Sequence, residues 1–257
     1  MNVFQRLSQY REFLRTSIRK EIRGKYKKSF LGILWSFLNP LLMLMVYAII
    51  FPIILKSPEK NYTMFLMTAL IPWTFFTTGI TQGAAVVIAN ANILKKVYFP
   101  REILPISIVT SGLVNFLISC IIIFIFLIFT GIGFSKYLIF FPLYVLIEYL
   151  LILGFVFILS SVTVYLRDLE HIIGVVIQAL FYATPIVYSM SMIPKAFDWV
   201  FKINPMAYVI QGFRDTLYYQ TMPDLQGLAI IAVFSLVLLY VGYRIFYRLQ
   251  KNFAEEL

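Results

Sequence analysis

The sequence predicts an all-α membrane protein: six transmembrane helices, an N-terminal amphipathic interface helix, and a re-entrant outer helical hairpin between spans five and six. Three observations predict it: the composition, a series of long apolar runs, and the sorting of the basic residues. Of 257 residues, 61% are hydrophobic and 13% charged, whereas a soluble domain holds about 45–50% apolar and 25% charged residues. Mean hydropathy is +0.85. Lys and Arg nevertheless outnumber Asp and Glu by 22 to 12, a net charge of +10. In a soluble protein that surplus would suggest nucleic acid. In a chain this apolar, the position of each charge has to be read first.

Residues 1–32 form the interface helix. Tyr10, Leu14, Ile18, Ile22, Tyr26 and Phe30 recur every four residues, and Arg11, Arg15, Arg19, Arg23 and Lys27 recur one position later. Spacing of four stacks side chains on one slowly drifting helix face. An apolar stripe beside a basic one suits a helix lying in the membrane interface. The stretch is too long and too polar for a signal peptide.

Six apolar runs follow, at about 33–55, 64–88, 103–130, 137–165, 172–190 and 228–246. Each is near or above the length that crosses ~30 Å of hydrocarbon. With the N-terminus cytoplasmic, sixteen basic residues fall inside and six outside, as the positive-inside rule requires. An even number of spans also returns Arg244, Arg248 and Lys251 to the cytoplasm. The segment 191–226 is too apolar for a solvated loop and too broken for a span. Asn204-Pro205 marks a turn within it. It reads as a hairpin dipping into the outer leaflet, which is permitted where protein or water covers the backbone. An amphipathic helix pair lying on the lipid is the alternative.

The chemistry the chain lacks bounds its function. It has no phosphate-binding loop, no His-Glu-x-x-His and no Gly-x-Ser-x-Gly. One histidine, His171, and one cysteine, Cys120, cannot build a His or Cys metal cluster. The chain therefore reads as a transport subunit without catalytic residues, metal or cofactor of its own. Any ATP-driven work would be done on another chain. Glu148 is the one carboxylate deep in a span, and an intramembrane acid is a functional candidate by default. A lining role on a translocation path, a structural role and proton coupling are its three readings. Gly79-x-x-x-Gly83 permits close helix approach.

The junction Arg23-Gly24-Lys25-Tyr26-Lys27-Lys28-Ser29-Phe30-Leu31-Gly32-Ile33-Leu34-Trp35 runs on to Pro40-Leu41. It resembles the opening of the first span in the transmembrane permeases of bacterial ABC exporters of polysaccharide, the O-antigen, teichoic acid and capsule type. In that family a basic-Tyr stretch precedes Ser-x-Leu-Gly-x-Leu-Trp-x-x-Leu-x-Pro-Leu, and Ser29, Leu31, Gly32, Leu34, Trp35, Leu38, Pro40 and Leu41 match it. Further matches are Asn92, Leu94, Lys95, Lys96, Phe99, Pro100 and Pro105, then Tyr165-Leu166-Arg167-Asp168, Thr184-Pro185-Ile186-Val187-Tyr188 and Asn204-Pro205-Met206.

The resemblance implies a homodimer in the bacterial plasma membrane, joined to two ATP-binding cassette subunits that hold ATP and Mg. The implied cargo is a glycan on polyprenyl diphosphate, moved from the inner to the outer leaflet. By the same analogy Arg23, Lys25, Tyr26, Lys27, Leu31, Gly32 and Trp35 form a gateway for the substrate lipid. Arg15, Arg19, Lys95, Lys96, Arg101, Arg167 and Asp168 couple to the ATPase. Pro185, Tyr188, Asn204 and Pro205 form an outer gate. The alternatives are an ABC permease for a drug or small lipid, and a proton-coupled carrier using Glu148.

Overall fold

The computed structural model describes residues 10–26, 35–55 and 59–257. Among these the chain is helical, without strands. Its helices are α1 (Arg11–Tyr26), α2 (Trp35–Leu55), α3 (Tyr62–Ala89), α4 (Ile103–Phe129), α5 (Phe141–Tyr165), α6 (Leu169–Tyr182), α7 (Asp198–Ile203), α8 (Pro205–Leu217) and α9 (Leu225–Leu249). Single helical turns fill several of the connections. Helices α3, α4, α5 and α9 are long and apolar enough to cross a membrane. Helix α2 has 21 residues and no charge, about 31 Å at 1.5 Å per residue.

Local chemistry sets the helix ends. Asp224 caps α9, its carboxylate accepting from the Gln226 and Gly227 amides. Asn204 caps α8 by accepting from the Met206 amide, and Pro205 follows at the first helical position, where its missing N–H costs nothing. Helix α3 stops at Asn90, whose side-chain amide donates to the Val86 carbonyl at 2.8 Å.

Helix α5 is central. It packs most extensively on α9 and α3, and α3 packs in turn on α4. Gly79 and Gly83 mark the α3–α5 crossing. A Cβ at Gly79 would stand 2.7 Å from Cγ2 of Ile152, and one at Gly83 would stand 2.5 Å from Cγ2 of Val156. The spacing noted in the sequence thus seats two β-branched side chains of α5 directly on the α3 backbone.

The bundle has two chemically distinct ends. At one end the Tyr165 hydroxyl donates to the Leu249 carbonyl at 3.0 Å, Arg101 lies over the Phe253 ring, and α1 packs against α4. At the other, the Tyr62 hydroxyl donates to the Val187 carbonyl at 2.6 Å, and the Gln220 amide donates to the Gly133 carbonyl at 2.8 Å. The basic residues of α1, Lys95, Lys96, Arg101, Arg167, Arg248 and Lys251 belong to the first end.

The fifth apolar run departs from expectation. Its helix covers Leu169–Tyr182, 14 residues, or about 21 Å, short of the ~30 Å hydrocarbon core. Thr184 and Pro185 end it: the Thr184 hydroxyl bonds back to the Leu180 carbonyl at 2.6 Å, and proline supplies no amide for a further turn. Residues 183–189 turn instead, with the Ile186 amide donating to the Thr184 carbonyl at 2.7 Å. In the segment 191–226, α7 and α8 meet at Asn204-Pro205, where the sequence places a turn.

Gly83→Ala should overpack the α3–α5 crossing and destabilise the protein by about 1–3 kcal/mol. Thermal unfolding of the purified protein reads this out. Adding Val156→Ala should return much of the loss, and additive losses would show that the crossing is not where the strain falls.

Candidate functional site

The basic end, inner in the sequence reading, is built on α1. Arg11, Arg15, Arg19 and Arg23 are exposed, while Phe13, Leu14, Ile18 and Ile22 are half-buried. The two stripes read from the sequence therefore separate as expected. Phe13 meets Phe99 with ring centroids 4.7 Å apart. The Lys20 ammonium donates to Oδ1 of Asn90 at 3.1 Å. Glu12 pairs with Arg11 and Arg15 at 3.6 and 3.2 Å, and such exposed pairs add little stability. These contacts dock α1 across the connection between α3 and α4.

That connection presents Lys95, Lys96 and Tyr98 outward, with Tyr98 94% exposed. This bare aromatic follows Lys95 and Lys96 and lies between the buried Leu94 and Phe99. Arg101 is half-buried, its guanidinium 5.8 Å from the centroid of the Phe253 ring. Arg167 and Asp168 are exposed at the α5–α6 turn. All seven residues of the coupling set thus lie at one end. Of the gateway set, Lys27, Leu31 and Gly32 lie outside the described residues. Arg23 is exposed on α1, Lys25 and Tyr26 form its last positions, and Trp35 opens α2, 37% exposed.

The opposite end, outer in the sequence reading, is held by polar groups that converge on the 183–189 turn. The Asn204 amide donates to the Ala183 carbonyl at 3.0 Å and to the Thr184 hydroxyl oxygen at 2.8 Å. Arg214 is fully buried. It donates to the Ile186 carbonyl at 2.6 Å and to the Tyr188 carbonyl at 3.4 Å, and its guanidinium lies 3.6 Å above the Phe65 ring. The Tyr188 hydroxyl donates to the Tyr182 carbonyl at 2.6 Å. Tyr218 and Tyr219 both donate to the Glu59 carboxylate at 3.0 Å. Pro185, Tyr188, Asn204 and Pro205 are thereby brought into one cluster. The sequence reading did not single out its keystone, Arg214, which entered only as one of the outside charges.

Burial pulls the Arg214 guanidinium down to about 10, opposed chiefly by Tyr219 and Glu59, so it remains a cation at neutral pH. Burial pushes the neighbouring Asp215 carboxyl up to about 6, against a hydrogen bond from Gln211.

Glu148 is fully buried within the single chain, and among the described residues neither carboxylate oxygen has a hydrogen-bond partner. The structure does not bring it together with the outer cluster or the inner basic set. Helix α3 instead carries an exposed to half-buried polar stripe, Thr74, Thr77, Thr78, Thr81 and Gln82. Thr74 lies twelve residues from the outer start of α3, about 18 Å and so at mid-membrane depth. The threonine hydroxyls bond to carbonyls one turn back in the same helix, Thr78 to Thr74 at 2.6 Å and Thr81 to Thr77 at 2.8 Å. The stripe was missed because threonines scattered in an apolar run score as neutral; their three- and four-residue spacing was the available signal.

The sequence has relatives among known proteins along its whole length. Residues 12–218 match the family described as ABC-2 type transporter. The chain belongs to that family. Within this ABC-2 family, it is 32% identical over 259 positions to the O-antigen export system permease protein RfbA of Myxococcus xanthus, covering all of both chains. It is 36% identical over 239 positions to the RfbA permease of Klebsiella pneumoniae, covering 93% of this chain and 92% of that one. It is 24% identical to the polysialic acid transport protein KpsM of Escherichia coli over 237 positions, 88% of this chain and 89% of that one. The ABC-2 match spans both the inner basic set and the outer cluster.

Arg214→Met should cost about 3 kcal/mol, because the Ile186 and Tyr188 carbonyls stay buried and lose a charged donor. Arg214→Lys should rescue only part, since an ammonium lacks the planar fork. Asn204→Ala should cost about 1–2 kcal/mol as a lost cap. Thermal unfolding measures all three, and neutral values would remove Arg214 from its structural role.

The raised Asp215 carboxyl also sets a pH dependence. Its charged form is disfavoured in the folded chain, so the penalty is full above about 6, falls as pH drops through 6, and vanishes below 3.8, the ordinary value. Unfolding midpoints should therefore rise from pH 7.5 toward pH 5 by more in the wild type than in Asp215→Asn. Equal slopes would exclude Asp215 as the titrating group.

Proposed function

We propose that this chain is the membrane-spanning subunit of an ATP-driven exporter that moves a polysaccharide on a polyprenyl diphosphate carrier from the inner to the outer leaflet. The observation that carries this reading is the likeness to O-antigen export permeases along the whole chain. The protein works as a homodimer in the bacterial plasma membrane, with two cytoplasmic ATPase subunits that hold ATP and Mg.

The chain crosses the membrane six times in this reading. Five crossings are α2, α3, α4, α5 and α9. The remaining crossing is α6, extended by the 183–189 turn: its start follows the inner end of α5, while Val187 is bonded to Tyr62 at the outer start of α3. With the basic end cytoplasmic, both α1 and the residues after α9 lie inside. The α7–α8 hairpin rests in the outer leaflet, braced by Arg214 and Asn204.

Each end then has its task. Arg23, with Lys25, Tyr26 and Lys27, meets the carrier's diphosphate at the inner headgroup level, where each cation contributes ~1 kcal/mol. Trp35 marks the mouth beside Leu31 and Gly32. Lys95, Lys96, Tyr98 and Arg167 face the ATPase, with Arg15 and Arg19 on the free side of α1. The glycan passes the threonine stripe of α3, whose hydroxyls suit a hydroxylated polymer better than lipid tails. The buried Glu148 serves the protomer core.

Deleting the gene should remove the surface polysaccharide and leave lipid-linked glycan inside the cell, both restored by the wild-type copy. Unchanged surface glycan in the deletion strain would overturn the export reading. Separately, the double charge reversal Lys95→Glu, Lys96→Glu should lower recovery of the ATPase subunit with the purified protein by ~10-fold, while the permease itself stays folded. Undiminished recovery would place the ATPase contact elsewhere.

A further inference from the structure

A cavity of about 250 Å³ opens at the outer end between α5, α8 and the start of α9. Tyr144, Lys202, Tyr208, Gln211, Asp215 and Asp224 stand in its walls. The outer-gate residues Pro185, Tyr188, Asn204 and Pro205 do not, so the cavity is separate from the cluster that braces the hairpin.

Two glycines shape it. A Cβ at Gly212 would fall onto the Tyr144 ring, and one at Gly227 would stand 3.1 Å from Cδ1 of Tyr208 and 2.9 Å from Oδ2 of Asp224. Each tyrosine ring therefore lies directly against a helix backbone. The Tyr208 hydroxyl donates to the Lys202 carbonyl at 3.1 Å, which fixes that ring in turn. The result is a concavity with flat aromatic walls and a polar floor.

The donor and acceptor pattern selects the ligand class. The Gln211 amide donates to Oδ1 of Asp215 at 2.8 Å. Oδ1 and Oδ2 of Asp224 accept from the Gln226 and Gly227 amides at 3.0 and 3.1 Å. Three of the four carboxylate oxygens are thus already turned toward N–H donors, and a lysine shares the wall. Calcium needs six to eight oxygen ligands, which this set does not offer. A neutral polyol does fit: its hydroxyls donate to the remaining carboxylate lone pairs, one accepts from the second N–H of Gln211, and its C–H face covers a tyrosine ring. The volume lies below the about 300–1,000 Å³ of sites for drug-sized ligands, which suits one sugar ring and not an extended chain.

The position agrees. Asp224 caps the outer end of α9, and Tyr144 stands three residues into α5, about 5 Å from its outer end. The cavity is level with the outer headgroups, where an exported glycan leaves the bilayer.

We propose that this cavity is a saccharide subsite at the outer face, holding one ring against Tyr208 with Gln211, Asp215 and Asp224 on its hydroxyls. The proposal deepens the export reading and rests on it for the source of the sugar. A ring held here after clearing the hairpin resists sliding back.

The test uses the full-length protein with its ATPase partner in lipid nanodiscs. Saturation-transfer NMR with the methyl glycosides of glucose, mannose, galactose, rhamnose and N-acetylglucosamine reads binding. At least one should bind saturably. Tyr208→Ala and Gln211→Ala should each weaken it by ~10-fold, with unfolding temperature followed in parallel, and Tyr208→Phe should retain it because the ring remains. No binding by any of these glycosides, or binding unchanged in both alanine variants, overturns the subsite. If the deletion strain has lost its surface glycan while the variants bind as the wild type does, the subsite alone fails. If the deletion strain still exports, the export reading fails first.

Discussion

The outer half of this protein depends on one buried cation. Taking a guanidinium out of water costs several kcal/mol unless every donor finds a partner. Arg214 meets most of that demand with the Ile186 and Tyr188 carbonyls and the face of Phe65, while its Nε has no hydrogen-bond partner among the described residues. Those partners come from α3 and the 183–189 turn, while Arg214 itself is on α8. Asn204 repeats the arrangement from the other end of the same helix. The α7–α8 segment is therefore tied into the body of the chain. Opening it requires these carbonyls to be re-satisfied by water or by a rearranged backbone, since a bare carbonyl in an apolar interior is costly.

The inner end follows the opposite principle. Most of its cations are exposed, Glu12 pairs with arginines of its own helix, and Phe13 and Lys20 help anchor that helix to the α3–α4 connection. Arg101 ties the same connection to Phe253 beyond α9. Exposed charge adapts to partners, whereas buried charge on a braced helix resists change. In the export reading the adaptable end faces the ATPase and the carrier lipid, and the resistant end closes the path.

Much of the architecture was legible in the sequence. The two stripes of α1, the turn at Asn204-Pro205 and the close crossing at Gly79 and Gly83 all follow from spacing that the structure reproduces. The fifth run was read too long, because composition continues apolar past Tyr182 while Thr184 and Pro185 end the helix by hydrogen-bond chemistry. Arg214 was counted as a solvated outside charge, because burial is a property of packing and a count of charges does not see it. Glu148 was recognised as unusual, but its direction is set by the rotation of α5 against α3 and α9. The cavity beside Tyr144 and Tyr208 was invisible for the same reason: its residues come from α5, α7, α8 and α9, far apart in the chain.

The threonine stripe of α3 has a consequence of a different kind. Each hydroxyl hydrogen is already committed to a carbonyl of its own helix. What the four threonines offer outward is oxygen lone pairs and methyl groups, and the exposed Gln82 adds the stripe's one side-chain amide. In the export reading, a hydroxylated polymer moving along the threonines is wetted at every step and held by no strong donor among them. The surface then behaves as a low-friction rail whose period is the helical turn, so the drag on a chain of many sugars grows with the length in contact.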